Sequence, residues 1–236
     1  MTESMRSKVV VVTGGVRGLG RTMADFMARE GAAVWVTSRQ APPPHPSLVA
    51  AAGEVRAVRL DVTDEASVKE LFAQVDAAYG RLDVLVNNAG VGVFKPVVET
   101  TLAEWDTMLR TNLTGTFLCS KEAFRRMQRQ GGGRIITIAS VSGYIPIVEN
   151  GAYGASKYGV RGFCKILNEE GKAHSIRVSL VSPGAAYTDI WEGREGFDPR
   201  DMLQPEDIAE SVLDIARRPL HVRIDEVKLL PPKGVL

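Results

Sequence analysis

Tyr153 and Lys157 stand four residues apart in the stretch Tyr153-Gly154-Ala155-Ser156-Lys157, and on a helix that spacing stacks both side chains on one face. A free phenol titrates near about pH 10. An ammonium within roughly 4–6 Å favours the phenolate and lowers that value, so the pair suits proton exchange near neutral pH. Alone, a Tyr and a Lys at this spacing equally describe a solvated helix face. The residues upstream decide between the two readings.

A second constellation is the loop Thr13-Gly14-Gly15-Val16-Arg17-Gly18-Leu19-Gly20, which follows the apolar run Val9–Val12 and precedes a helical pattern. Strand, glycine turn and helix N-terminus together form an anion site, because glycines let the backbone approach a pyrophosphate and free N–H groups favour its charge. Three residues separate Gly14 from Gly18 and one separates Gly18 from Gly20, unlike the commoner G-x-G-x-x-G spacing. Gly14, Val16, Arg17, Gly18, Leu19 and Gly20 are the candidate contacts to a dinucleotide.

About 20 residues further on, an acid reads the ribose of NAD in such folds, and an arginine accommodates a 2′-phosphate. Here the second apolar run ends Val36-Thr37-Ser38-Arg39, with no acid at that point. Ser38 and Arg39, with Arg17 from the loop, suit a phosphate dianion through charge-assisted bonds. The expected cofactor is therefore NADP(H); the competing reading makes both arginines ordinary solvent-facing charges.

These groups need a scaffold, and the chain alternates apolar β-branched runs with helical patterns along its whole length. The runs are Val9–Val12, Ala33–Thr37, Val55–Leu60, Leu82–Val86, Arg134–Ala139, Ile176–Val181 and Glu226–Leu230, with helices expected at about 18–30, 64–79, 101–130, 152–170 and 205–217. That order predicts an α/β fold: a Rossmann-type doubly wound parallel sheet of about seven strands with helices on both faces. All 236 residues read as one domain. Ala41-Pro42-Pro43-Pro44-His45-Pro46 denies the backbone donors that a helix needs, so the helix after the second strand is expected to be short or missing.

Charged residues make up 24% of the chain and the net charge is +1, which leaves no basic face for nucleic acid. His45, His174 and His221 are scattered singly, so no metal site is expected. Cys119 and Cys164 read as buried free thiols. The first eight residues are polar, with no signal-like segment, and no apolar run approaches the roughly 20 residues needed to cross a bilayer. A cytoplasmic protein without membrane partners is the expectation.

With these parts placed, the chain resembles the short-chain dehydrogenase/reductase family from Lys8 to about Leu230, its motifs falling in family order. They are the glycine loop, Asp61-Val62 after the third strand, Asn87-Asn88-Ala89-Gly90 after the fourth, Asn112 in the long helix, Ser140 after the fifth strand, Tyr153 with Lys157, and Pro183-Gly184 followed by Thr188. The resemblance implies that Asp61 and Val62 receive the adenine, and that Asn88, Ala89, Gly90, Pro183 and Gly184 border the cofactor. Thr188 would bond the nicotinamide carboxamide, and Lys157 the nicotinamide ribose while lowering the tyrosine pKa. Ser140 would steady a substrate carbonyl oxygen and Tyr153 protonate it, with Asn112 holding a water on a proton route to Lys157. From the residues alone, Asn112 is either a tolerated polar residue or a local irregularity of the helix that frees a carbonyl. Thr63 or Asp64 caps the next helix better than Asp61 does.

Within the family this sequence most resembles 3-oxoacyl-acyl-carrier-protein reductases, so an acyl thioester is the first substrate class to test, beside small ketones, hydroxy acids, sugars and pterins. The expected pocket wall is Val91, Gly92, Val93, Phe94, Ser142, Tyr144, Ile147, Ala185, Ile190 and Trp191, mostly apolar. Only 16 residues separate Thr188 from Pro205, where relatives often carry a longer helical lid, and the chain ends soon after its last strand. Both shortenings argue for an open site. Leu113, Phe117, Val160, Phe163 and Leu167 exceed one core stripe on the two long helices, which in the family pair with a second subunit, so a homodimer or homotetramer is expected. The competing function class is a non-catalytic NADP(H)-binding sensor or scaffold, which predicts the loss of a catalytic group; none is lost here.

Overall fold

The computed structural model describes residues 2–40, 53–188 and 198–234. Seven strands form one sheet: β1 (Val9–Val12), β2 (Ala33–Ser38), β3 (Glu54–Arg59), β4 (Val84–Asn87), β5 (Gly133–Ile138), β6 (Ile176–Pro183) and β7 (Glu226–Leu229). Their order across the sheet is β3-β2-β1-β4-β5-β6-β7, and every pairing is parallel. The helices are α1 (Gly18–Arg29), α2 (Glu65–Tyr79), α3 (Leu102–Met108), α4 (Gly115–Gln130), α5 (Gly151–Gly171) and α6 (Pro205–Ala216). Strand and helix bounds shift by one or two residues from the expected ones, where hydrogen bonding rather than apolar character sets the end.

A parallel strand buried on both faces must be apolar at every position, and β1 shows how the period of two divides it. Val9 and Val11 enter a core with α2, α4 and α5, whereas Val10 and Val12 enter one with α1 and α6. This double cover is the expected doubly wound arrangement. Strand order reverses between β1 and β4, and the carboxyl ends flanking that switch carry Thr13 to Gly20 and Asn87 to Gly90. Ligands bind there in open α/β sheets.

The helix expected at 101–130 is instead three segments. Thr101 caps α3 through a reciprocal box with Glu104, and Leu109–Thr114 then forms a π-helical stretch before α4 begins. Asn112 lies inside it, so it is the local irregularity and not merely a tolerated polar residue. Val160 and Leu167 pack in the core, which corrects their reading as surplus. On α4 and α5, Phe117, Tyr158 and Ile166 face outward, and Phe117 stacks edge-on against Phe163 at 5.8 Å.

Both cysteines are buried and free, and burial pushes their thiols up to about 12. Among the described residues no helix is long and apolar enough to cross a membrane, and no three His, Cys, Asp or Glu side chains gather as a metal site. The proline run at 42–46 and the substrate candidates Ile190 and Trp191 lie outside the described residues.

Candidate active site

Along the carboxyl ends of the strands runs a cleft of about 1200 Å³. At one end are Arg17, Ser38, Arg39 and Val62; at its middle are the glycine loop, Asn88, Ala89 and Gly90; at the other end are Ser140, Tyr153 and Lys157, with Pro183, Gly184 and Thr188 alongside. All these residues, scattered over the sequence, were expected at the site, and the fold brings them to one surface.

The loop is built for close approach. Gly14 and Gly18 take positive φ, at 64° and 50°, which side chains disfavour. A Cβ on Gly20 would lie 2.4 Å from both Asn88 Nδ2 and Gly14 O, so no larger residue fits there. Asn88 Nδ2 donates to the carbonyls of Thr13 and Gly14 at 3.0 and 3.1 Å, while Thr13 Oγ1 accepts from the backbone of Asn88 and Ala89, both at 3.0 Å. Thr37 Oγ1 accepts from Gly14 N at 3.2 Å. The cradle is thus fixed by side chains from β2 and from the residues that directly follow β1 and β4.

Asp61 departs from expectation. Its Oδ1 accepts from Thr63 N at 2.9 Å and Thr63 Oγ1 at 2.8 Å, and the Thr63 backbone bond is the main reason its carboxyl titrates below the usual range. The side chain serves the turn before α2 and does not line the cleft; Leu60 and Val62 do. Asp64 caps α2 by accepting from Ala66 N, as its position suggested.

At the reactive end, Tyr153 is half-buried and stacks on Phe94 with ring centroids 5.0 Å apart. Burial raises its pKa, and a hydrogen bond with Ser140 works the other way. Lys157 is 8% exposed; its Nζ donates to Ile138 O at 3.0 Å and lies 5.5 Å from the tyrosine ring centroid. Burial depresses the ammonium to about 8. The free protein does not show the expected lowering of the tyrosine by the lysine: burial raises the phenol, the opposing influence comes from Ser140, and burial also weakens the lysine's charge.

Asn112 does not line the cleft but holds it together. Its Oδ1 accepts from Val91 N at 2.8 Å, and its Nδ2 donates to Val91 O at 2.9 Å and to Ser156 Oγ at 3.0 Å. Ser156 in turn donates to the Tyr153 carbonyl at 2.7 Å. One buried amide thus links the segment after β4 to the first turns of α5. Its own carbonyl accepts from Thr116 Oγ1 at 2.7 Å.

Of the expected pocket wall, Val91, Phe94, Ser142, Ile147 and Ala185 line the cleft, whereas Gly92 and Val93 do not. Tyr144 is also absent from it: its hydroxyl accepts from Ser182 Oγ at 3.2 Å, and its ring contacts Arg161 at 4.1 Å and Lys228 at 3.9 Å. These cation contacts hold the ring at another face. Val148, Glu149 and Asn150, unremarked in the sequence, do line the cleft. Their position just before Tyr153 was the available signal, since residues leading into α5 share its end of the sheet.

Comparison with known proteins agrees with this geometry. The short chain dehydrogenase family matches residues 8–196. An NADP-dependent (R)-specific alcohol dehydrogenase of Lentilactobacillus kefiri is 37% identical over 203 residues, covering 84% of this chain and 81% of that protein. A D-threitol dehydrogenase of Mycolicibacterium smegmatis is 35% identical over 222 residues, covering 89% and 85%. The crystal structure of a metagenomic short-chain oxidoreductase in complex with NADP superposes with a TM-score of 0.83 at 34% identity, covering 97% of this chain and 99% of that one. With its motifs in order on the matching fold, this chain belongs to the short-chain dehydrogenase family of oxidoreductases.

Proposed function

We propose that the protein is an NADP(H)-dependent oxidoreductase that reduces a carbonyl to a secondary alcohol, with Tyr153 as proton donor. The observation that carries this reading is the meeting of Ser140, Tyr153 and Lys157 in the cleft that also holds the glycine cradle and Arg39. The cradle suits the group: the space at Gly18 is open, and a side chain on Gly20 would collide with Asn88 and Gly14 and distort the loop. Gly14 to Gly20 would hold the pyrophosphate, Arg17, Ser38 and Arg39 the 2′-phosphate, and Lys157 the nicotinamide ribose. Structures of relatives in complex with NADP and with 5-hydroxy-NADP, and the NADP dependence of the Lentilactobacillus enzyme, support the choice.

When bound, the cofactor supplies the hydride. The chain's part is orientation and proton supply. Ser140 steadies the carbonyl oxygen and Tyr153 protonates it. Burial keeps the phenol protonated, so the proton is in place when charge develops on the carbonyl oxygen, and a lysine near pH 8 can resupply it. Asn112, whose amide is bonded to Val91 and Ser156, acts as a positioning residue that fixes the start of α5 and so the place of Tyr153.

The substrate class follows less narrowly. The two curated relatives act, by their names, on alcohols and on threitol, so small ketones and polyols belong in a panel with the 3-oxoacyl thioesters that the sequence suggested. The test is NADPH oxidation over that panel by wild type and Tyr153→Phe. Turnover by the wild type and a loss of at least about a hundredfold in the variant, with NADPH still bound, supports the reading. Wild-type turnover by Tyr153→Phe refutes the proton-donor assignment, and NADPH binding without oxidation of any carbonyl favours a sensor. The outward Phe117 and Ile166 on α4 and α5 support a homodimer, read by sedimentation.

A further inference from the structure

We infer that Glu149 and Asn150 are the substrate-binding edge of the cleft, and that the preferred substrate is a neutral carbonyl compound with a hydroxyl on the carbon next to the carbonyl; this rests on the oxidoreductase reading above. Both residues line the cleft, four and three positions before Tyr153. Glu149 takes φ 65°, a conformation uncommon for a residue with a side chain. Its carbonyl accepts from Lys95 N at 2.9 Å. That bond ties the segment before α5 to the one after β4, which supplies Phe94 to the same cleft, so the edge is framed from both sides.

Its charge is not cancelled nearby. Lys95 directs its ammonium to Glu104 Oε1 at 2.6 Å, and Glu104 is held at about pH 2 by that lysine and by the Thr101 cap. Among the described residues no hydrogen bond or ion pair engages the Glu149 carboxylate. Asn150 Nδ2 donates to Ser142 Oγ at 3.2 Å, which leaves Oδ1 as an acceptor. The edge therefore offers two acceptors and a full negative charge beside apolar Phe94 and Ile147. Acceptors call for a donor on the substrate, and a hydroxyl supplies one without charge. A substrate carboxylate or phosphate meets repulsion. An ammonium would share the cleft with Lys157, which disfavours a second cation.

The test uses the holoenzyme with NADPH on 2-butanone, 1-hydroxy-2-butanone, 2-oxobutanoate and aminoacetone. The wild type should favour 1-hydroxy-2-butanone over 2-butanone by about tenfold in kcat/KM, the worth of one charge-assisted hydrogen bond at a partly solvated site. Glu149→Ala should erase that preference, with kcat/KM falling about tenfold more for 1-hydroxy-2-butanone than for 2-butanone. Glu149→Gln should raise 2-oxobutanoate by about fivefold relative to 2-butanone at low salt, with a smaller gain at high salt. A hydroxyl preference that is absent or survives Glu149→Ala overturns the inference, as does favouring 2-oxobutanoate or aminoacetone. Turnover without any Glu149 effect sinks this inference alone. Failure to reduce any carbonyl sinks the reading beneath it as well.

Discussion

Replacing Lys157 with methionine should make the free protein more stable at pH 7 while abolishing its activity. The lysine is buried, and its value falls from 10.5 in water to about 8 in the fold. At about 1.4 kcal/mol per pH unit, holding it charged at pH 7 costs about 3 kcal/mol. Methionine removes that cost but leaves Ile138 O without its 3.0 Å partner, a loss of about 1 kcal/mol. The net gain is about 2 kcal/mol, or roughly 4–8 °C in Tm for a chain of this size. The sign with pH follows from the depressed folded value. Below about pH 8 both states are protonated and the penalty is fully present; between about 8 and 10.5 only the unfolded state keeps the proton, so the wild type gains stability as pH rises. The advantage of Lys157→Met should therefore shrink from about 2 kcal/mol at pH 7 to about zero at pH 10. Urea unfolding of both proteins without cofactor, at the two pH values, measures it. A variant less stable than wild type at pH 7, or a margin that does not change with pH, would show that the buried ammonium carries no such strain.

Two further outcomes follow from the same contacts. Asn112→Ala deletes three hydrogen bonds within the link between the segment after β4 and α5, and should cost about 3 kcal/mol in urea unfolding; a wild-type midpoint would show that the link is slack. Arg39→Ser should raise KM for NADPH by about tenfold, with KM for NADH unchanged, because an exposed guanidinium acts on the 2′-phosphate alone; equal shifts for both cofactors would move Arg39 out of phosphate recognition.

Much of the site was legible before folding was considered. Gly14, Gly18 and Gly20 announce a backbone that must turn and be approached closely, and Tyr153 with Lys157 needs only a helix to align it. Tyr144 shows the limit. Its type and position suited a pocket wall, yet Arg161 and Lys228 take its ring, and neither neighbour is local in sequence. Asp61 shows another, since one oxygen of its carboxylate accepts both Thr63 bonds two residues on, a short-range competition that a motif match does not weigh. Glu149 was missed because no motif reserves that position for an acid.

The sequence alone determined the fold class, the element order and the glycine, serine, tyrosine and lysine residues that meet at the cleft. Those depend on local periodicity, on glycine's backbone freedom and on the chemistry of each side chain. Only the tertiary structure decided how those residues are tuned: that burial raises Tyr153 and depresses Lys157, that Asn112 joins two distant segments, and that Glu149 leaves an uncompensated charge at the rim. Desolvation and hydrogen-bond partnership are set by groups that meet only after the chain folds.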